Sequence, residues 1–433
     1  MPISSMEERD AGRIYNFAAK LFPICRSLTG EGVRKTLSII QEELNDLQIH
    51  EVPSGFQAFD WTVPMEWNIS DAYIMDDSGK KIIDFKKCNL HVMGYSTPID
   101  KEITFEELSS HLYSIPEMPD AIPYITSYFK ENWGFCLSEN QRKQLKKGNK
   151  YKVLLDSSLK PGFLNYGELI LPGESDKEIF FSTYICHPSM ANNEISGPSV
   201  TVELAQWIAA QKDRRHTYRI IFIPETLGSI VYLKKNIKEM KENIIAGFNV
   251  TCVGDDRTYS FLPSRTGETL ADRAANYVLK YHFPEYKHYS FLKRGSDERQ
   301  YCWPGIDLPV VSIMRSKYCE YPEYHTSLDN MDLITPKGLY GAFKALQKCV
   351  FLLENNYKYK VNCTCEPCLG KRGLYPQVSD KDIIKKVESM MNFIGYCDGN
   401  LDIIEIGEII NENIIELFPI IKKFKDFDLI QPV

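Results

Sequence analysis

Four short segments carry polar side chains that a hydrophobic core would not select, and each stands where a strand is expected to give way to a loop. Cys186-His187 runs on through Asn192-Asn193-Glu194-Ile195 to Ser196-Gly197. Pro224-Glu225-Thr226 leads to Gly228-Ser229 in the same manner. Gly295-Ser296-Asp297-Glu298-Arg299 and Tyr324-His325-Thr326-Ser327 complete the set. Histidine, carboxylate and histidine brought together from separate strand ends are what a zinc ion needs, with one position left open for water. A nearby free carboxylate can take a proton from that water during hydrolysis.

The elements that must position these residues are legible as apolar runs. Near-continuous runs at 178–186, 218–223, 244–253 and 308–314 read as strands buried on both faces. Amphipathic patterns at 198–212, 228–240 and 270–280 read as helices between or after them, and Thr335-Pro336 opens another. Strand–helix alternation implies an α/β layer architecture with a mostly parallel sheet. The first fifty residues read as two helices, 7–22 and 32–47. From Val52 to about Cys136 the texture is aromatic and extended, which predicts a separate small β unit. A linker over 357–377 carries Cys363, Cys365 and Cys368, and residues 380–433 read as three short helices punctuated by Gly399 and Pro419.

The 433 residues imply two or three domains. With 43% apolar and 25% charged residues the chain has the balance of a soluble globular protein, and no apolar run approaches the ~20 residues of a membrane span. The first ten residues lack the basic-then-apolar pattern of a signal peptide, and twelve scattered cysteines fit reduced thiols, so a cytoplasmic location is expected. A formal charge of −7 argues against a nucleic-acid-coating surface. Residues 380–433 hold 11 acidic and 6 basic side chains, which favours docking or dimerisation over DNA binding there.

The order and spacing of the four segments resemble the zinc aminopeptidase family, which holds two co-catalytic zinc ions on an α/β sheet. On that resemblance His187 fits the first ligand and Asn193 the bridging position, since Asn193-Glu-Ile-Ser196-Gly197 has the required spacing. Glu225 stands where a Glu pair is usual, Asn249-Val-Thr251 matches a later strand, Ser296-Asp297-Glu298 the next element and His325 the last ligand. More closely, the chain is similar to a bacterial subgroup described as polysaccharide-biosynthesis proteins with an aminopeptidase-like domain. Phe59-Asp-Trp61, Trp133-Gly-Phe-Cys136, Gly370-Lys-Arg-Gly-Leu-Tyr375 and the acidic C-terminal segment carry that similarity.

The resemblance implies a three-layer α/β fold with a mixed, mostly parallel sheet over residues 1–51 and 138–356. A small β domain is inserted at 52–137, and a linker plus winged-helix-like domain follows at 357–433. The departures from the family matter more for function. Asn193 offers a neutral oxygen where the bridging carboxylate should be, and Thr251 stands where the two-zinc pattern has Asp. Two dications would repel with little to offset them, so one zinc is expected, held by His325 with some of His187, Asn193 and Glu225. Glu225 is either the general base or a ligand; if it is a ligand, Asp297 becomes the base. Arg299 and Tyr324 are the candidate substrate contacts.

Other residues have plainer readings. Cys186 and His187 should point to opposite faces of a strand and so form no nucleophilic dyad. Asp297-Glu298-Arg299 could equally be a surface ion-pair cluster. Arg26 and Arg315 have the geometry for a carboxylate but read first as solvated surface arginines. Three thiols at 363–368 are one ligand short of a structural zinc site, and Trp61 and Trp67 read as core of the inserted domain. The expectation is a zinc-dependent amide hydrolase for a small or short peptide-like substrate, with surface-polysaccharide biosynthesis as the setting that the resemblance implies. The alternative is a binding or assembly protein that has lost chemistry on the same fold.

Overall fold

The structure, a computed structural model, describes residues 5–374 and 381–433; the end of the predicted linker, at 375–380, lies outside them. Contacts divide the chain into two units, residues 1–272 with 285–346, and residues 273–284 with 347–433.

The first unit is built on an eight-stranded mixed sheet. In chain order its strands are β1 (Gln48–Pro53), β2 (Phe163–Leu171), β3 (Ser175–Tyr184), β4 (His216–Ile223), β5 (Ile244–Asn249), β6 (Tyr259–Leu262), β7 (Tyr286–His288) and β8 (Val310–Met314). Across the sheet they run β1-β2-β4-β3-β5-β8-β6-β7. The centre, β4-β3-β5-β8, is parallel, while β1, β2 and β6 join antiparallel. The central strands are those whose apolar runs are continuous, and they are buried along nearly their whole length. Helix α1 (Ser5–Leu21) packs on α3 (Ser196–Ala209), α2 (Glu31–Glu43) on β2, and both α3 and α4 (Leu227–Asn243) on β3.

The aromatic, extended region forms a four-stranded antiparallel sheet in the order Lys81–Asp84, Glu66–Met75, Lys150–Lys160, Ile99–Thr104. Its long strand Lys150–Lys160 comes from beyond the aromatic region and pairs on both sides. Trp67 is core, as expected, and its indole N–H donates to Ser96 O at 2.9 Å.

The seam between this sheet and α2 is ionic. Arg34 Nη2 lies 2.6 Å from Glu66 Oε1, and Glu66 Oε2 accepts the Phe163 N–H at 3.0 Å. The Arg34 bond and that backbone donor hold the Glu66 carboxyl down to about 2. A carboxyl depressed in the folded state adds stability above its unfolded value, and that stability is lost as pH falls through 4.5 towards 2. Glu66→Gln is therefore expected to cost about 1–3 kcal/mol at neutral pH. The gap to the parent should close near pH 2, as thermal melts at the two pH values will read.

The second unit holds a three-stranded antiparallel sheet, Asp398–Asp402, Lys358–Val361 and Ile430–Pro432, with helices Lys381–Gly395, Ile403–Ile410 and Ile414–Asp426. Asp402 and Glu405 form a capping box that starts the second helix, and Asn411 ends it in the left-handed region. Pro419 does not punctuate this region as its sequence suggests; it lies inside the last helix. Burial of Leu417, Ile420, Ile421 and Phe424 along one stripe outweighs the missing hydrogen bond, a cost of about 3 kcal/mol. Among the described residues no helix is long and apolar enough to cross a membrane.

Candidate metal and active site

Three features aim side chains past the ends of the parallel strands. The chain leaves β3 at Tyr184 and enters a π-helical turn, Ala191–Ile195, before α3. Asp329 anchors that turn by accepting the N–H groups of Ala191, Asn192 and Asn193. Gly197 lets it close on its neighbours, since a Cβ there would stand 2.5 Å from Val250 O. After β4, Thr226 is held at φ 64, ψ −74, and Leu227 N–H donates to Glu225 O at 2.7 Å, a γ-turn with positive φ. His325 also sits at φ 56. Strained backbone at His325 and next to Glu225 is what a pre-arranged site costs.

The inserted region supports the last of these. Tyr124 N–H donates to His325 O at 2.9 Å, Ser327 N–H to Ile122 O at 2.9 Å, and Pro123 pairs with Thr326. Tyr124 places its ring edge-on to both His187 and His325, with centroids 5.2 Å from each.

His187 stands between two carboxylates. Its Nδ1 is 2.7 Å from Glu194 Oε2, and its Nε2 is 3.7 Å from Glu225 Oε2. Burial opposes charge on the ring, but Cys186 and Glu194 outweigh it and hold the imidazole well above its usual pKa. Glu194 in turn faces Arg26, whose Nε lies 3.5 Å from Oε1 and donates to His187 O at 2.9 Å. Arg26 and Glu194 have no exposed side-chain surface. Arg26 is thus not the surface arginine its sequence suggests: tertiary packing of the 22–30 loop buries it under the site. Arg315 is buried too, with Nε donating to Asp255 O at 2.7 Å and its guanidinium over the Tyr259 ring.

The Asp297 segment is likewise no surface cluster. Asp297 and Glu298 are fully buried. Asp297 Oδ1 accepts Thr226 N–H at 2.7 Å and the Ser229 hydroxyl at 2.8 Å, which fixes the γ-turn under Glu225. Its Oδ2 has no partner. Burial and the nearby Glu225 push its pKa up to about 7. Arg299 donates to Thr226 Oγ1, and its Nε is buried without a partner. Tyr324 stacks on His325 at 3.9 Å between centroids, while Tyr124 and Tyr128 line the adjoining cavity.

Cys186 and His187 do meet, with Sγ 3.6 Å from Nδ1, because strand alternation stops at Tyr184. Burial pushes the thiol up to about 11, so it is no thiolate nucleophile.

The donor sets can now be tested against a metal. Two ions do not fit: Asn193 Nδ2 donates to Tyr184 OH at 2.9 Å, and Thr251 Oγ1 bonds both Tyr184 OH and Asn193 O. These neutral groups bond one another and leave only Asn193 Oδ1 among them without a partner. Among the described residues, Cys186, His187 and Glu194 have donor atoms within 4.8 Å of one another. That trio is a poor cation site, since the Arg26 guanidinium already faces Glu194. His187 Nε2, Glu225 and His325 are the alternative set, although their donor atoms do not all lie within 4.8 Å of one another and His325 would have to close on the other two. Ligands about 2.1 Å from a tetrahedral ion stand about 3.4 Å apart, and two imidazoles sharing it have centroids roughly 5 Å apart. The observed values are 3.7 Å for His187 to Glu225 and 5.5 Å between the rings. His325 Nε2 is buried with no partner, and burial with the neighbouring His187 drives its pKa down to about 3, so it keeps a free lone pair.

Sequence reasoning missed the role of Glu194 and the burial of Arg26. Glu194 left one signal: apart from His187 it is the lone acidic or basic side chain between Glu178 and Glu203. Arg26 left none.

Comparison with known proteins agrees with this architecture. A curated protein of Clostridium acetobutylicum, provisionally described as a polysaccharide biosynthesis protein with an aminopeptidase-like domain, is 46% identical over 368 residues, covering 85% of this chain and 84% of its own. The crystal structure of a C. acetobutylicum protein provisionally described as a peptidase superposes with a TM-score of 0.93 at 41% identity, over 99% of this chain and 97% of that one. A zinc aminopeptidase from Bacillus subtilis shares the fold at a TM-score of 0.56 and 14% identity, over 79% and 94% of the two chains. The profile of a winged helix-turn-helix matches residues 357–432, and that of DUF4910, a domain of unknown function, matches residues 15–356. The chain belongs to the DUF4910 family, here an aminopeptidase-like mixed α/β domain followed by a winged helix.

Proposed function

We propose that the protein is a one-metal amide hydrolase. The observation that carries this reading is the His187 environment. A metal-bound histidine almost always gives its second ring nitrogen to a carboxylate, a backbone carbonyl or water, and here Glu194 takes Nδ1 at 2.7 Å while Nε2 faces Glu225. His187, Glu225 and His325 would hold the ion, zinc by their chemistry, with the Asn193 Oδ1, which has no partner, as the remaining candidate oxygen. Bound there, zinc supplies Lewis acidity towards a carbonyl and an acidified water.

The chain's own residues do the rest. Glu194, steadied by Arg26, fixes the tautomer and tilt of His187. Asp297 holds the Glu225 turn with one oxygen and offers the other as proton acceptor, its pKa near 7 being suited to that task. The insert's Tyr124 and Tyr128 exclude water from one wall. The polysaccharide-biosynthesis description of the C. acetobutylicum relative makes an amide on a sugar or sugar precursor the substrate class to screen.

Elemental analysis of protein purified without chelator or metal-binding tag is expected to give one zinc per chain, and none in His325→Ala. Two ions would overturn the one-metal reading. No metal, even after incubation with zinc, would favour a binding protein, a reading supported by the neutral Asn193–Tyr184–Thr251 cluster.

A further inference from the structure

The cavity beside Glu225 and His325 holds about 460 Å³. Its wall is largely apolar, with Leu28, Val63, Leu227 and the rings of Trp61, Tyr124 and Tyr128. Phe129, 85% exposed, stands at its rim with its ring 6.0 Å from Trp61, so flat apolar surface continues outward from the reacting end. The charged side chains on the wall, the two histidines apart, are Glu225 and Arg299.

That inventory bears on which end of a substrate enters. A free amino terminus needs carboxylates to receive its ammonium, and this wall has none to spare. Glu225 is committed to the ion in the reading above, on which this inference rests. Asn193 and Thr251 are neutral, and Asp297, fully buried, has one oxygen on the Thr226 turn and the other assigned to proton transfer in that same reading. The cation on this wall lacks a full set of hydrogen-bond partners, with Glu225 and Asp297 as its charge neighbours: Arg299 gives one nitrogen to Thr226 Oγ1 while its Nε, buried, donates to nothing. A guanidinium in that condition suits a carboxylate, for which its planar fork is matched.

We propose that the substrate presents a carboxylate to Arg299 and a flat apolar group to the aromatic wall, making it an N-acylated acid and not a peptide with a free amino end. Hydrolysis of such an amide is balanced by water alone: the water oxygen bonds to the carbonyl carbon, the C–N bond breaks, and the leaving nitrogen takes the proton.

Binding separates this proposal from turnover. Calorimetry with N-benzoylglycine, N-benzoylglycinamide and phenylalaninamide on the intact protein is expected to rank the free carboxylate about tenfold or more above its amide, as a charge-assisted hydrogen bond warrants, with the free amine no better than the amide. Arg299→Gln should level the first two, and Arg299→Lys, which keeps charge without the fork, should retain part of the preference. His325→Ala should leave the preference intact, so a protein without metal or turnover still reports on Arg299. Equal binding of acid and amide, tightest binding of the amine, or a preference that survives Arg299→Gln would overturn the proposal. So would a preference that vanishes in His325→Ala, since the carboxylate would then be going to the ion.

Discussion

Arg26→Met is expected to destabilise the protein by about 3–5 kcal/mol, the usual cost of stripping one partner from a buried ion pair. Arg26 gives Nε to His187 O and Nη1 to Leu21 O, and it is the cation against Glu194. Without it, Glu194 is a buried charge whose remaining neighbour of opposite sign is His187. The double variant Arg26→Met, Glu194→Gln should recover part of the loss, because the stranded carboxylate is gone. Glu194→Gln alone should fold and yet bind zinc about 10- to 100-fold more weakly, as loss of an outer carboxylate does. Denaturant titration reads the first effect and competition with a metal chelator the second. A cost under about 1 kcal/mol for Arg26→Met would mean that Arg26 is not what compensates Glu194 in the folded protein.

Glu225→Gln and Asp297→Asn are expected to fail in different ways. Glu225→Gln replaces an anionic donor by a neutral one, so the ion should be lost and turnover with it. The ion supplies several kcal/mol at the transition state, which is about a thousandfold or more in rate. Asp297→Asn should keep the ion and lose turnover by about 10²–10⁴, the range for a positioned proton acceptor. Metal content after gel filtration, paired with single-turnover rates, distinguishes the two. The reverse pattern, metal retained in Glu225→Gln and lost in Asp297→Asn, would exchange the two roles.

The strands were the readable part of the fold. Buried central strands must be apolar on both faces, so β3, β4, β5 and β8 announce themselves, and the polar residues just beyond them follow. His187 and Glu225 could be nominated for that reason, and Asp297 and His325 by the order and spacing of their segments. What the sequence hides is the set of groups that hold them. Arg26 lies in a loop between two helices, and nothing local says that α2 and β3 will close over it. Cys186 and His187 look alternate until the strand is seen to end at Tyr184. Pro419 looks like a stop, and only the packed stripe on either side of it explains why the helix continues. Tyr124 reaches the site from the middle of the aromatic insert, where no spacing rule points to it.

That last connection also governs how the protein can be rebuilt. Residues 122–124 of the insert and 325–327 of the histidine loop share backbone hydrogen bonds in both directions, so each segment is the template on which the other is laid. The insert is therefore not a detachable module. A chimera that borrows it from a relative must borrow residues 325–327 as well, and a deletion that removes it takes away the support that keeps His325 in its left-handed conformation.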